Sequence, residues 1–181
     1  MEHTKTVNLS RTIDSSGVLV TPLRYRDIFI FARLRSRIES EAKHLVPKRG
    51  ERKESPLYVF ARMLLQRGRM RTLLLKIQGE IVGYVTLIFA KFEKLQDNAY
   101  LTISIRASYR GKGYGTFLMR EAEALARSRA TRRIELEVFG KNTRAIELYK
   151  RLGYEIEGIR RRAVRDGNIY DDIVFMAKFL N

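Results

Sequence analysis

The residues with the clearest chemical potential form a glycine loop, Arg110-Gly111-Lys112-Gly113-Tyr114-Gly115. The loop follows a predicted strand and opens a predicted helix, so unpaired backbone N–H groups and the positive end of the helix dipole face outward together. Glycine has no Cβ, so a phosphate can approach the backbone closely, and Arg110 and Lys112 add positive charge. The loop therefore predicts an anion site, and its three glycines among cations favour phosphate binding over a plain strand-to-helix turn.

Two other phosphate motifs compete with this interpretation. A Walker loop is excluded because the chain contains no G-x-x-x-x-G-K-[ST]. The dinucleotide fingerprint fits in part, since Gly111 and Gly113 match its first two glycines and Glu135 lies about twenty residues further on. Thr116 occupies the third position, however, where close helix packing calls for Gly or Ala. Only one strand–helix–strand unit is evident, so the dinucleotide hypothesis is the weaker one.

The apolar periodicity around the loop predicts the elements that position it. A strand over Ala99–Ile105 precedes the loop and a long helix follows it, with Glu123 off the helix's apolar stripe. Alternation predicts the next strand over Ile134–Val138. Asn142 can cap a further helix, which ends before Gly153. The apolar stripe of the long helix consists of Phe117, Leu118, Ala122, Leu125 and Ala126.

The rest of the chain predicts a mixed sheet. Parallel strands need a crossover helix, which the second half supplies, whereas hairpins give antiparallel pairs. We predict one domain over residues 18–181 after an N-terminal segment, 1–17. Its further elements are a strand over Val18–Tyr25, helices from Asp27 to about His44 and from Leu57 to Gly68, a hairpin of Thr72–Ile77 and Ile81–Ala90, and strands Tyr154–Gly158 and Tyr170–Phe179 flanking a turn at Asp166-Gly167. A basic loop, Pro47–Pro56, separates the first two helices.

Composition excludes several classes of protein. With 45% hydrophobic residues, nine Tyr and nine Phe among 181 residues, the chain can bury a core and is not expected to be disordered. There is no cysteine, and His3 and His44 are the only imidazoles, so no metal site is predicted. The sequence contains neither a signal peptide nor an apolar run long enough to span a bilayer, which favours a cytoplasmic protein without a membrane partner.

The net charge of +16 can attract nucleic acid, an anionic membrane or a phosphorylated ligand. Basic residues cluster between Leu57 and Ile77 and again from Arg160 to Arg165. No aromatic recognition motif of an RNA-binding domain accompanies them, so a nucleic-acid partner is disfavoured although the charge leaves it open.

Two stretches together resemble the GNAT family of N-acyltransferases. Arg110–Gly115 matches the R/Q-x-x-G-x-G/A signature, and Asn142–Tyr149 with Leu152-Gly153-Tyr154 is similar to the family's N-x-x-A-x-x-L-Y-x-x-x-G-[FY] stretch. The match covers roughly Ala99 to Glu155. The resemblance implies a single-domain α/β (α+β) fold, with a central mixed, mostly antiparallel sheet of six to seven strands, a splayed parallel strand pair and about four helices. Pairing of sheet edges into a homodimer is common among similar proteins.

The resemblance also implies acetyl-CoA as cosubstrate. Its pyrophosphate is expected on the glycine loop, and its pantetheine arm between the strands that contain Ile103–Ile105 and Ile134–Val138. A backbone N–H near Ser104 or Ile105 is expected to bind the acyl carbonyl. Asn142 is expected near the pantetheine, although a plain helix cap explains it equally well. The cofactor-binding residues predicted in this way are Ile103, Ser104, Ile105, Arg110, Gly111, Lys112, Gly113, Tyr114, Gly115, Thr116 and Asn142.

Tyr149 is the predicted catalytic acid, because a phenol in this motif can protonate the departing thiolate. The base is less defined, since Tyr100 stands where many members of the family have glutamate. At pH 7 a lysine-like amine costs about 4.6 kcal/mol to deprotonate and an α-amine only about 1.4 kcal/mol. The missing carboxylate therefore favours α-amines or deprotonation through water, with Glu137 and Tyr100 as reserve candidates and Glu137 read first as an ordinary strand residue.

These observations predict an N-acetyltransferase that acts on a primary amine of a small metabolite or a protein N-terminus by direct attack, without a covalent enzyme intermediate. The alternative is a non-catalytic module on the same fold that responds to coenzyme A or binds nucleic acid. The acceptor pocket is expected between the first two helices and a loop over Arg160–Asn168. Arg160, Arg161 and Arg162 could meet an acceptor carboxylate, but an exposed basic hairpin explains them more simply.

Overall fold

The computed structural model describes residues 17–41, 55–66 and 68–180. The predicted N-terminal segment, the helix end near His44 and nearly all of the basic loop Pro47–Pro56 lie outside these ranges. None of the helices within them is long and apolar enough to cross a bilayer.

The described residues form one seven-stranded sheet in the order β1-β2-β3-β4-β5-β7-β6, in which only β4 and β5 are parallel. This confirms the predicted mixed, mostly antiparallel α/β architecture. The strands are β1 Val18–Pro22, β2 Met70–Ile77, β3 Glu80–Phe89, β4 Asn98–Ile105, β5 Arg133–Phe139, β6 Glu155–Asp166 and β7 Ile169–Phe179. The helices are α1 Ile28–Glu41, α2 Pro56–Leu65, α3 Tyr114–Arg127 and α4 Thr143–Arg151.

Helices cover both faces of the sheet and enclose two cores. Leu118 and Met119 of α3 pack with Leu101 and Ile134 of the central strands, and Tyr149 of α4 joins this cluster. On the other face α1 and α2 bury a second cluster against β2 and β3. Its members include Phe31, Ile38, Val59, Leu74 and Tyr84. The face under α1 and α2 therefore lies opposite the face under α3 and α4.

The predicted turns form where the chain requires a left-handed backbone. Gln78 and Gly79 have φ values of 49° and 83° and connect β2 to β3, the pattern of a tight hairpin. Gly153, at φ 86°, follows α4 and ends it. At the start of α4 the Asn142 Oδ1 accepts a hydrogen bond from the Ala145 N–H at 3.3 Å. These short-range predictions are confirmed because local backbone geometry decides them.

Glu123 corrects the predicted pattern of α3. We placed it off the apolar stripe, yet it is only 4% exposed. Its Oε2 accepts a hydrogen bond at 2.8 Å from the Nζ of Lys178 on β7, which lies 55 residues away in sequence. A buried carboxylate needs such a partner, and helical periodicity alone cannot identify one.

The segment Arg160–Asn168 was predicted as a loop, and this is wrong for most of its length. β6 continues to Asp166 as the edge strand, and only the turn at Gly167 is confirmed. The pairing with β7 shifts between Arg160 and Val164, where Arg162 adopts φ 51° and its N–H donates to Asp172 Oδ1 at 2.7 Å. The arginine run can belong to β6 because an edge strand tolerates charge along its exposed length.

Candidate active site

The two parallel strands separate to form a gap. β4 and β5 pair only at Asn98↔Arg133, Ala99↔Ile134 and Tyr100↔Glu135. Beyond these positions β4 continues to Ile105 and β5 to Phe139, with no further pairing between the two described strands. The gap leaves backbone groups on both facing edges, so an extended ligand can lie between the strands. This is the predicted splayed pair.

The direction of the backbone groups at the end of β4 follows from two contacts. The Arg106 N–H donates to the Val82 carbonyl on β3 at 2.9 Å. Because N–H groups alternate sides along a strand, the Ile105 N–H faces away from β3 and toward the gap. Arg110 Nε donates to the Ile105 carbonyl from that side at 2.8 Å. The Ser104 carbonyl lies against the β3 backbone instead. Of the two candidate donors, the N–H of Ile105 is therefore the one that faces the gap.

The glycine loop follows directly and opens toward solvent. Gly111 and Gly113 have φ values of 84° and 85°, a conformation that favours glycine. Gly113 is the N-cap of α3, and no side chain caps this helix end. The N–H groups of Tyr114, Gly115 and Thr116 in the first turn therefore have no partner inside the helix. This arrangement offers backbone donors to an anion.

Gly115 has a packing role as well. A Cβ at this position would lie 3.0 Å from Cδ2 of Leu148 on α4. Its small size lets the first turn of α3 approach α4 closely. Asn142, which begins α4, lies just past the end of β5 and is half-buried. The glycine loop, the end of β5 and the start of α4 thus meet near one end of the gap.

Arg144 is a site residue that sequence reasoning missed. Its guanidinium occupies the space that a Cβ on Gly111 would need. It therefore adds a third cation beside the loop, together with Arg110 and Lys112. Arg144 lies in the Asn142–Tyr149 stretch that the sequence analysis singled out. The spacing of that stretch does not indicate that the Arg144 side chain reaches back to the glycine loop.

An ionic network holds the turn that leads into the loop, a 3₁₀ turn over Ala107–Tyr109. Glu41, the last residue of α1, accepts a hydrogen bond from the Ala107 N–H at 2.8 Å and lies 3.4 Å from Arg106 Nε. Glu80, the first residue of β3, accepts from Arg106 Nη1 at 2.6 Å and from the Tyr109 hydroxyl at 3.0 Å. The network links the end of α1 to the entrance of the glycine loop.

Three ionisable side chains are electrostatically coupled at the gap. Tyr149 is 7% exposed, and burial together with the nearby Tyr100 raises its pKa to about 12. Burial and then the charge of Glu137 raise the pKa of Tyr100 to about 12 as well. Glu137 lies two residues beyond Glu135, the partner of Tyr100, so it is on the same sheet face as Tyr100. Both phenols therefore keep their protons at neutral pH beside an exposed carboxylate.

The structure thus gathers the predicted residues around one gap. Ile103, Ser104 and Ile105 are half-buried on β4, the residues of the glycine loop surround its exit, and Tyr149 approaches from α4. Two kinds of donor converge here, backbone N–H groups for anions and a protonated phenol. The arrangement can hold a phosphorylated, extended ligand and protonate a leaving group beside it.

Comparisons with known proteins agree with this geometry. Residues 36–154 match the family model described as Acetyltransferase (GNAT) family. The chain is 32% identical over 123 residues to the L-amino acid N-acetyltransferase AaaT of Escherichia coli, covering 67% of this chain and 75% of that one. It is 31% identical over 123 residues to a Bacillus subtilis protein assigned as a ribosomal protein bS18 alanine N-acetyltransferase, covering 67% and 77%.

The fold also matches solved structures. The yncA acetyltransferase of Salmonella typhimurium, solved with its cofactor acetyl-CoA, superposes with a TM-score of 0.80. The alignment covers 92% of this chain and 95% of that one at 15% sequence identity, so the likeness is one of fold.

Proposed function

This chain belongs to the GNAT acetyltransferase family and is an N-acetyltransferase that uses acetyl-CoA; from this premise we propose that its acceptor is an α-amine, of a small metabolite such as an amino acid or of a protein N-terminus. The observation that carries the proposal is the coupled set Tyr149, Tyr100 and Glu137 at the gap beside the glycine loop. The two sequence relatives support it, because their names specify an L-amino acid and an alanine of a ribosomal protein as acceptors, and the only amine of alanine is its α-amine.

The glycine loop fits a diphosphate by backbone chemistry. The free N–H groups of Tyr114–Thr116 and the missing Cβ of Gly113 leave donors open to an anion, and Arg110, Lys112 and Arg144 supply the charge. The edges of Ile103–Ile105 and of β5 would hold the pantetheine arm. Acetyl-CoA supplies an acetyl thioester, from which the acetyl group passes directly to nitrogen while coenzyme A leaves as a thiol.

Tyr149 would donate to the departing sulfur. A pKa of about 12 means that the phenol is protonated throughout the working pH range. It also makes the phenol a weaker acid than a thiol of pKa about 8.5, so full transfer to a free thiolate would cost about 4.8 kcal/mol. Tyr149 therefore acts chiefly by a hydrogen bond that strengthens as negative charge develops on sulfur. The proton that the amine loses accounts for the proton that the coenzyme A thiol finally carries.

Between the reserve bases the structure favours Glu137. The raised pKa of Tyr100 keeps it protonated at neutral pH, so it cannot accept a proton there. Glu137 is an exposed carboxylate on the same face, within reach of water. An α-amine of pKa near 8 needs only about 1.4 kcal/mol for deprotonation at pH 7, which suits a base that acts through water. The Ile105 N–H would bind the acyl oxygen as negative charge develops on it.

Thiol release tests the proposal. The folded protein is mixed with acetyl-CoA and, in separate reactions, with alanine, an alanine peptide, and a lysine derivative with a blocked α-amine. We expect release with the α-amines and little with the blocked lysine at pH 7.5. Release with the blocked lysine alone would overturn the α-amine assignment, and no release with any amine would overturn the proposed acceptor class as a whole.

A further inference from the structure

Arg160 on the edge strand β6 projects from the same face of the sheet as Glu137. The register carries this direction across three strands, since Glu137 pairs with Phe175 of β7 and Phe175 pairs with Gly158 of β6. Paired residues share a face, and so do residues two positions apart along a strand. Arg160 is two positions beyond Gly158, so its side chain lies on the face that carries the proposed base.

The tip of Arg160 leans back toward β5. Its guanidinium carbon lies 5.5 Å from the ring centroid of Phe175, the residue beside Glu137. Because neighbouring strands are about 4.8 Å apart, the guanidinium is roughly 10 Å from Glu137 along the sheet. On the far side of the ring, a Cβ on Gly158 would meet nothing within 4 Å. This part of the face is therefore open to a ligand.

Arg160 and Glu137 carry opposite charges that the described part of the fold does not neutralise. Both side chains are exposed, and neither forms an ion pair with another described residue. The neighbouring carboxylates Glu135 and Glu157 pair with Arg133 instead. The aromatic ring under Arg160 attracts its charge but supplies no lone pair, so the five N–H donors of the guanidinium remain available to a carboxylate.

Resting on the α-amine function proposed above, we propose that Arg160 binds the α-carboxylate of the acceptor and makes a free α-amino acid the preferred substrate. In an α-amino acid the nitrogen and the carboxyl carbon are about 2.5 Å apart. One water between Glu137 and the amine, with hydrogen bonds of about 2.8 Å at each contact, extends this arrangement to roughly 10 Å. The amino acid thus fits between the two charges with its amine toward the base. A peptide N-terminus has a neutral amide in place of the carboxylate and lacks the ion pair with Arg160.

Alanine and alaninamide test the assignment, because they differ only in the carboxylate. The measured quantity is the ratio of kcat/KM for alanine to kcat/KM for alaninamide at pH 8. Comparing this ratio between variants cancels the different amine pKa values of the two compounds. We expect Arg160→Gln to lower the ratio about tenfold, the size of one hydrogen bond to a charged group.

Arg165→Gln is the matched control. It removes the same charge from the same strand, but Arg165 pairs with Tyr170 and so lies on the opposite face of the sheet. Its Nε donates to the Gly167 carbonyl at 3.0 Å, within the β6–β7 turn. Arg165→Gln should keep the wild-type ratio, which separates a contact of Arg160 from the general attraction of a basic protein for a carboxylate.

Each outcome decides one proposal. A ratio that is unchanged in Arg160→Gln, or that falls equally in Arg165→Gln, overturns the Arg160 assignment while the α-amine function stands. Failure of the wild type to acetylate either compound counts against the α-amine function. Calorimetric titration of the coenzyme A-bound protein then tests Arg160 separately, and equal binding of alanine and alaninamide overturns the assignment.

Thermal unfolding checks that Arg160→Gln is folded. If it is not, Arg160→Lys decides, because it keeps the charge without the planar fork of the guanidinium. Its ratio should lie below that of the wild type, and a ratio equal to the wild-type value would overturn the guanidinium contact.

Discussion

The proposed function assigns the two substrates to two regions of the molecule, and these regions are built from different kinds of group. The cofactor region, from β4 through α4, uses backbone: strand edges, left-handed glycines and the first turn of α3. The proposed acceptor region, α1 and α2 over β2 and β3, presents side chains instead of free backbone groups. Backbone chemistry serves any acceptor equally, whereas side-chain tips discriminate among acceptors. Changes in the first region should alter all reactions alike, and changes in the second should alter preference.

The largest effect is expected from Tyr149→Phe. The change removes the proposed hydrogen bond to the departing sulfur but keeps the ring that fills the core. We expect kcat to fall at least 100-fold, the lower range for loss of one hydrogen-bond donor to a developing negative charge. The dissociation constant of acetyl-CoA should change little, and the loss should be equal for every acceptor. Thiol-release kinetics and calorimetry measure the two quantities.

Tyr154→Phe is the matched control, because its ring lies 6.0 Å from that of Tyr149 in the same core. Its kcat should stay near the wild-type value. The pH profile adds a second check. Since burial raises the pKa of Tyr149 to about 12, the phenol stays protonated and kcat should show no alkaline fall below about pH 11. A fall in kcat centred below pH 10 that disappears in Tyr149→Phe would show that the phenol loses its proton in this range and would contradict the raised pKa.

Glu137→Gln should have the next largest effect. Loss of the carboxylate leaves the amine to lose its proton to bulk water, and we expect kcat/KM at pH 7 to fall about 30-fold. The deficit should shrink as the pH rises past the α-amine pKa of about 8, because neutral amine then becomes abundant. Glu135→Gln is the control, since that carboxylate pairs with Arg133 Nε at 2.8 Å. A deficit that is constant from pH 6 to 9 would contradict the base assignment.

Gly111→Ala should weaken acetyl-CoA binding by about tenfold. At φ 84° an alanine is strained by roughly 1–2 kcal/mol, and its Cβ would also displace the Arg144 guanidinium from the loop. Titration calorimetry with acetyl-CoA measures the effect. Gly167→Ala introduces a similar strain at φ 59° in the β6–β7 turn, with open space around its Cβ. Gly167→Ala should lower the stability of the protein without changing its affinity for acetyl-CoA. If both variants lost the same affinity for acetyl-CoA, the conformation of Gly111 would make no specific contribution to binding.

The contrast between regions also explains how far the sequence could predict the site. The glycine loop and the caps at Asn142 and Gly153 depend on a few neighbouring residues, so their types and spacing were sufficient. The contact of Arg144 with Gly111 and the pair of Glu123 with Lys178 join residues 33 and 55 positions apart. Periodicity carries no information about such contacts, because packing of whole elements creates them.

The length of β6 is a second feature that the local sequence could not predict. The run Arg160–Arg165 lies in the segment predicted as a loop, but β6 continues through it to Asp166. Whether a strand is central or at an edge is decided by the order of the whole sheet, which places β6 outermost. The contact of Arg160 with the Phe175 ring likewise exists only because β6 pairs with β7.

Glu41→Gln should give the smallest effect, and it is the sharpest test of the division into regions. Glu41 belongs to the proposed acceptor region, but its carboxylate accepts a hydrogen bond from the Ala107 N–H and lies beside Arg106 at the entrance to the glycine loop. An amide oxygen can still accept one hydrogen bond, so only the charge contribution is lost, about 0.5–1 kcal/mol for a partly exposed pair. We expect the acetyl-CoA dissociation constant to rise about threefold, with the preference between acceptors unchanged. Glu39→Gln, two residues before Glu41 on α1, is the control and should not change the affinity for acetyl-CoA. If Glu41→Gln instead changes acceptor preference and spares acetyl-CoA, the end of α1 serves the acceptor alone and the two regions are energetically separate.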